Sequence, residues 1–193
     1  MTSSGTPIYG DLEVHAKLAE GDLSAHQFDL SGTTIKVDDI VGEKLTEKQQ
    51  RKFEPWFCDV TIEEGEIILG KPISASGTVD FSMYDTRPMV ALLEDMGASP
   101  GWLSMMPNIK NVEGAAAVNY GKGYMEVDDL VLTGKGLLVE GTIHSRDKKT
   151  DGLLYIKLKG IAAGIGINQG KAKIHLAKPR KWFDAQQSAG GVP

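Results

Sequence analysis

The stretch GYMEVDDLVLTGKGLLVEGTIHSRDKKTDGLLYIKLKGIAAGIGINQGKAKIHL, Gly123 to Leu176, carries the longest run of two-residue hydrophobic periodicity in the chain. Leu137, Val139, Gly141 and Ile143 alternate with Leu138, Glu140, Thr142 and His144. Leu154, Ile156 and Leu158 alternate with Tyr155, Lys157 and Lys159, and Ala172, Ile174 and Leu176 with Lys173, His175 and Ala177. Successive side chains of a strand point to opposite faces, so each run predicts a strand with one aliphatic and one mostly polar face. Turn residues bound the runs at Thr133 to Gly136, Asp147 to Gly152 and Asn168 to Gly170, which predicts hairpins and an antiparallel meander.

The pattern extends towards the N-terminus. Leu12 to Leu18, Leu23 to Leu30 and Thr34 to Ile40 read as strands, with an end or a bulge at Asp38-Asp39, where a carboxylate would fall on the apolar side. Phe57 to Glu63 and Glu66 to Leu69 read as a hairpin about Glu64-Gly65, and Ile73 to Met83 as a further strand. Gly42 to Pro55 reads as a charged loop. Arg87 to Met96 reads as the one short helix, with Pro88 in its first turn and Gly97 at its end. Ile35 to Ile40, IKVDDI, echoes Met125 to Leu130, MEVDDL, which hints at repeated hairpin units.

With 193 residues the chain is long enough for a single large β domain, placed over 1–185, with 186–193 a disordered tail. About ten strands at about 4.8 Å spacing make a sheet too wide for one helix to cover. The apolar face must therefore close on itself as a sandwich or barrel, or curl into a trough filled by something other than protein. The fold expected is mainly β, a long antiparallel meander curled into a groove, a half-open barrel or U-shaped sheet, with one short helix. Its lining, aliphatic and with aromatics only 7% of the chain, suits acyl chains.

Composition narrows the function. A net charge of −5 lacks the basic excess by which proteins neutralise nucleic-acid phosphates. The single cysteine, Cys58, excludes an internal disulfide and a cysteine-based zinc cluster. The opening MTSSGTPIYGDLEV has no apolar signal region, and no stretch reaches the roughly 18 apolar residues of a membrane span. The acidic pairs Asp38-Asp39, Glu63-Glu64, Glu94-Asp95 and Asp128-Asp129 are expected to serve turns and edges, adjacent residues on a strand facing apart. His15, His144 and His175 fall on outward faces with no ligand spacing. The glycines of Gly164 to Gly170 do not fit a dinucleotide fingerprint. No catalytic, cofactor or metal motif remains, so a non-enzyme is expected. RKFEPWF at Arg51 to Phe57 and KPRKWF at Lys178 to Phe183 put basic residues beside aromatics, suiting peripheral membrane contact or a partner surface, or a strand or tail sealing an end of the core.

DLSGTTIKVDDI, GEIILGKPISASGTVDF and VEGAAAVNYGKGYMEVDDLVLTGKGLLVEGTI, followed by DGLLYIKLKGIAAGIGI and KPRKWF, resemble the C-terminal portion of AsmA/TamB-like bacterial envelope proteins. The resemblance covers nearly the whole chain as a style of repeated strands with Gly/Asp turns. It implies a β-groove that holds phospholipid acyl chains, in a periplasmic protein tied to the inner membrane by an upstream anchor outside this chain, with envelope proteins as further partners. The alternative is a structural β-sandwich that docks envelope partners. The residues expected to line the groove are Met125, Val127, Leu137, Val139, Ile143, Leu154, Ile156, Leu158, Ile165, Ile167, Ile174 and Leu176. If acyl chains lie along Ile156, the change Ile156→Asp is expected to leave the fold standing and remove bound lipid; in a closed core the same change is expected to destabilise the fold by several kcal/mol.

Overall fold

The computed structural model describes residues 8–15, 19–20, 26–42, 57–86, 109–147 and 149–190. The loop expected over 42–55, the helix expected over 87–96 and the apolar segment 100–107 lie outside these residues, apart from Gly42, which ends a strand. What is described is a single antiparallel sheet of 12 strands. They are β1 (Ile8–His15), β2 (Ala19–Glu20), β3 (Gln27–Asp29), β4 (Thr34–Gly42), β5 (Cys58–Ile68) and β6 (Ser74–Asp85), then β7 (Lys110–Gly121), β8 (Tyr124–Gly134), β9 (Leu137–Arg146), β10 (Lys149–Leu158), β11 (Ile161–Asn168) and β12 (Lys171–His175). From β4 onward each pairs with the next in sequence, and β1 lies outside β4. The sheet curls into an open groove and does not close into a barrel, β1 and β12 remaining its two edges.

β3 and β4 lie end to end along β5. Gln27 to Asp29 pairs with Glu66 to Ile68, and Thr34 to Val37 with Cys58 to Thr61. Across the intervening turn, Leu30 N–H donates to the Gly65 carbonyl at 2.8 Å and Gly32 N–H to the Ile62 carbonyl at 2.7 Å. The two pieces therefore act as one interrupted strand. The hairpin expected about Glu64-Gly65 is not there: β5 runs straight through, and the chain reverses between Ile68 and Ser74. Gly65 is instead a site of close approach, where a Cβ would lie 2.6 Å from the Ile62 side chain. The turn expected over 147–152 is shorter, since β10 already begins at Lys149.

Three of the acidic pairs mark bulges, and Glu94-Asp95 lies outside the described residues. Opposite Tyr9 to Asp11, β4 advances three residues, from Val41 to Asp38, so the bulge expected at Asp38-Asp39 is present. In β5, Ile62 pairs with Val79 and Glu64 with Thr78, leaving one extra residue at Glu63-Glu64. In β8, Val127 pairs with Ile143 and Leu130 with Gly141, leaving one extra at Asp128-Asp129, where Asp129 has φ +50°. IKVDDI and MEVDDL thus echo each other as bulge sequences. A bulge also corrects the expectation that adjacent carboxylates face apart. Ile62 and Gly65, like Val127 and Leu130, lie on the same face three residues apart, so both acids between them leave the sheet on the other side. An acid pair at a bulge bends the groove without placing a charge inside it.

One helix is described, α1 (Pro179–Ser188), where an amphipathic cluster and a tail were expected. It continues through Ser188, so 186–188 belong to the helix and not to the tail that was expected to begin at 186. Its N-cap is Lys178 in the left-handed conformation with no side-chain cap, so the usual Ser, Thr or Asp start signal is missing and only Pro179 at the first turn announces it. Phe183 is buried, and Pro179, Trp182 and Gln186 beside it are half-buried, a stripe at helical spacing. This stripe packs on the outer face of β10 and β11, where Phe183 meets Leu153 and Tyr155. The Trp182 indole stacks on the His175 imidazole with centroids 4.0 Å apart. Burial, then nearby Lys173, hold the His175 pKa below its ordinary value. Arg180 pairs with Glu140 on β9 and, at 2.9 Å, with Asp184 one helical turn on.

The outer face carrying Glu140, His144, Lys157 and Lys159 was expected to be solvated; Lys157 and Lys159 are exposed, and Glu140 and His144 half-buried. Under α1 it is a second small core, because Leu138, Leu153 and Tyr155 give this part of the outer face an apolar character that the lysines on the same strands obscure. Gly164 completes the seat, since a Cβ there would lie 2.2 Å from the Trp182 ring. Gly164→Val is therefore expected to lift α1 while leaving the sheet paired. Hydrogen exchange checks it: protection should be lost over 179–188 and kept over β7 to β10.

Candidate functional site

Register assigns every inward position. Val60 pairs with Phe81, Phe81 with Gly114, Gly114 with Leu132, Leu132 with Val139 and Val139 with Ile156. Gly152 pairs with Ile143 and Ile167, and Ile165 with Leu154 and Ile174. Paired residues share a face, so one aliphatic surface runs without interruption from β4 to β12. The face expected from alternation in β9 and β10 is continuous.

Burial along this face is uneven. Leu137, Val139, Leu154, Ile156, Leu158, Ile165 and Ile167 are buried and join Ile109, Val112 and Leu132 in one cluster. Ile156, Ile165 and Ile167 have no exposed surface at all. Among the described residues, every buried large hydrophobic belongs to this C-terminal part of the chain, from Ile109 onward. The inward residues of β4 to β6, Ile35, Val37, Val60, Ile62, Val79, Phe81 and Met83, are only half-buried. The strand ends at Tyr120 (52% exposed) and Met125 (39%) open to solvent on the same face.

The twelve residues expected to line the groove therefore divide. Seven of them, Leu137, Val139, Leu154, Ile156, Leu158, Ile165 and Ile167, are core. Met125 and Leu176 are exposed, and Val127, Ile143 and Ile174 half-buried. Alternation identifies a face and does not say how far along that face the cover extends. The accessible apolar residues of β5 and β6 were missed as candidates, although Val60, Ile62, Val79 and Phe81 carry the same alternation.

Where Leu30, Ile62, Ala75, Val79, Val118 and Tyr120 meet there is an apolar notch of about 100 Å³. This is far below the roughly 300 to 1,000 Å³ of an enclosing ligand pocket, so a chain-like ligand would lie along the open face and use the notch for one end. Cys58 also lies on this face, opposite Met83. Its burial, and then Asp59, push the thiol pKa up to about 11, which leaves it protonated and unreactive at neutral pH.

The outer face has larger depressions of mixed polar and apolar lining. One, of about 540 Å³, is lined by residues including Asp29, Glu64, Glu66, Ser76, Thr78, Asn119 and Asp128, and a second, of about 490 Å³, by residues including Asp59, Asp80, Ser82 and Glu113. Glu66 holds Gln27 and, more loosely, Ser76, while Asp128 is 2.7 Å from His144 Nε2. Among the described residues, no three His, Cys, Asp or Glu side chains converge as metal ligands would. Nor is any described helix long and apolar enough to cross a membrane. No model of a known protein family, no curated protein and no solved structure matches the chain.

Proposed function

We propose that the protein is a non-enzymatic acyl-chain-binding module, with the half-exposed inner face of β4 to β6 and the open ends of β7 and β8 as its ligand surface. The observation that carries this reading is the mismatch along one face. Among the described residues the aliphatic lining is continuous over the sheet, yet its large side chains are fully buried only from Ile109 onward. A contiguous apolar surface left open on a water-exposed protein marks a place where something apolar binds. Fatty acyl chains fit best, because an unbranched chain can lie across successive strands against Val60, Ile62, Val79 and Phe81 with its end at the notch.

The polar head of such a ligand would stay in water at the rim near Tyr120 and Met125, which are exposed. The resemblance to AsmA/TamB-like envelope proteins favours phospholipid as the ligand and the periplasmic side of the inner membrane as the place. Transfer of lipid along the groove, with envelope proteins as partners, goes with the same reading. The test is native mass spectrometry with solvent extraction of protein purified from cells without detergent. Phospholipid is expected at a defined ratio to protein and should be lost in Val79→Asp. Lipid-free protein that takes up none from phospholipid vesicles would refute the reading and favour a structural role in docking envelope partners, on an open sheet and not the sandwich expected for that role.

A further inference from the structure

The two edges of the sheet are unlike each other. At one edge β12, KAKIH, has Lys171 and Lys173 and no acid, both lysines exposed. At the other, β1, IYGDLEVH, has Asp11 and Glu13 and no lysine or arginine, with the Glu13 side chain 61% exposed. Among the described residues no strand pairs with the outer side of either. Each edge also leaves aliphatic surface uncovered on the inner side. Val14 is 51% exposed at the β1 edge, and Leu176, one step past β12, is 61% exposed.

From these features we infer that the sheet edges dock copies of this chain head to tail, β12 of one against β1 of the next. Three arguments select this arrangement. Ten strands lie on the path from β1 to β12 and all their pairings are antiparallel, so β12 runs opposite to β1. A copy translated across the sheet therefore meets its neighbour in antiparallel register with the same face inward. Opposite charges then face each other on the outer side, and Val14 meets Ile174 and Leu176 on the inner side. The symmetric alternatives fail on charge, since β12 against β12 sets lysines together and β1 against β1 sets acids together. Lysine on an edge strand resists pairing with its own kind while leaving pairing with an acidic strand open. β12 is five residues long, so each contact is small and the association weak, concentration-dependent and sensitive to salt. This inference does not depend on what fills the groove.

Sedimentation velocity over a range of protein concentrations tests it. The wild type should self-associate at low salt, and Lys171→Glu with Lys173→Glu, or Glu13→Lys alone, should each weaken association by about tenfold or more. An equimolar mixture of the two variants should associate again, because the unaltered β1 of one meets the unaltered β12 of the other. In a Cys58→Ala background, Val14→Cys with Ile174→Cys together should give a ladder of crosslinked species on mild oxidation, and neither alone should. Wild type that stays monomeric at every concentration, a Glu13→Lys variant that associates normally, or dimers from either single cysteine variant would overturn the inference.

Discussion

Ile156→Asp is expected to unfold the protein, whereas Val79→Asp is expected to leave it folded and empty. The two residues share the inner face, but Ile156 is wholly buried in the cluster of β7 to β12 and Val79 is half-buried over the open part. At Ile156 the change removes about 2 to 3 kcal/mol of apolar burial. It also leaves an unpaired carboxylate among Val139, Leu154 and Ile165, which costs several kcal/mol more whether the group ionises or is held protonated. The sum is comparable to the roughly 5 to 15 kcal/mol that holds a typical domain together. At Val79 the carboxylate keeps contact with water, so the loss is that of a half-exposed valine, about 1 kcal/mol. Circular dichroism melts separate the two. The sequence alone left two outcomes for Ile156, a folded variant without lipid in a trough or a destabilised one in a closed core, because alternation does not tell a sealed part of a face from an open one.

A comparably large loss is expected from Gly141→Ala, a change of one methyl group. Gly141 lies on the inner face of β9, paired with Leu130 on one side and Leu154 on the other. A Cβ there would lie 2.0 Å from the Leu153 carbonyl oxygen and 2.9 Å from the Leu154 Cα. Both are backbone atoms of a paired strand, so neither can turn aside as a side chain would. Relief requires β9 and β10 to separate beneath the core, and a cost of about 3 kcal/mol or more is expected from chemical denaturation. Gly170→Ala is the control. Gly170 has φ +80° and nothing within 4 Å of its would-be Cβ, so only the strain of the left-handed turn is felt, about 1 kcal/mol.

Period-two hydrophobicity was enough to predict the antiparallel meander of β8 to β12 and the inward set of β9 to β12, because one buried face makes register and pattern the same information. The bulge at Asp38-Asp39 was legible for a related reason, since an acid at an inward position needs an extra residue to turn it out. The same logic applied to Glu63-Glu64 was missed, and Gly65 was taken for a turn when it is a position of close approach inside a strand. α1 was not legible because its start has no polar N-cap. Its aromatic pair reads equally well as a membrane contact until Gly164, which makes room for Trp182, is seen beneath it. The division between sealed and open lining was beyond the sequence. It depends on what lies over each inward residue in space, and residues with identical alternation, Val79 and Val139, end on opposite sides of it.

Site-specific photocrosslinking measures occupancy of the groove directly. A benzophenone side chain placed at Val79 faces inward, and one placed at Thr78 faces outward from the same strand. After irradiation with phospholipid vesicles and removal of free lipid, intact-mass analysis should find a lipid adduct at position 79 and essentially none at position 78. No adduct at position 79, or equal adducts at both positions, would contradict an acyl-chain-binding inner face.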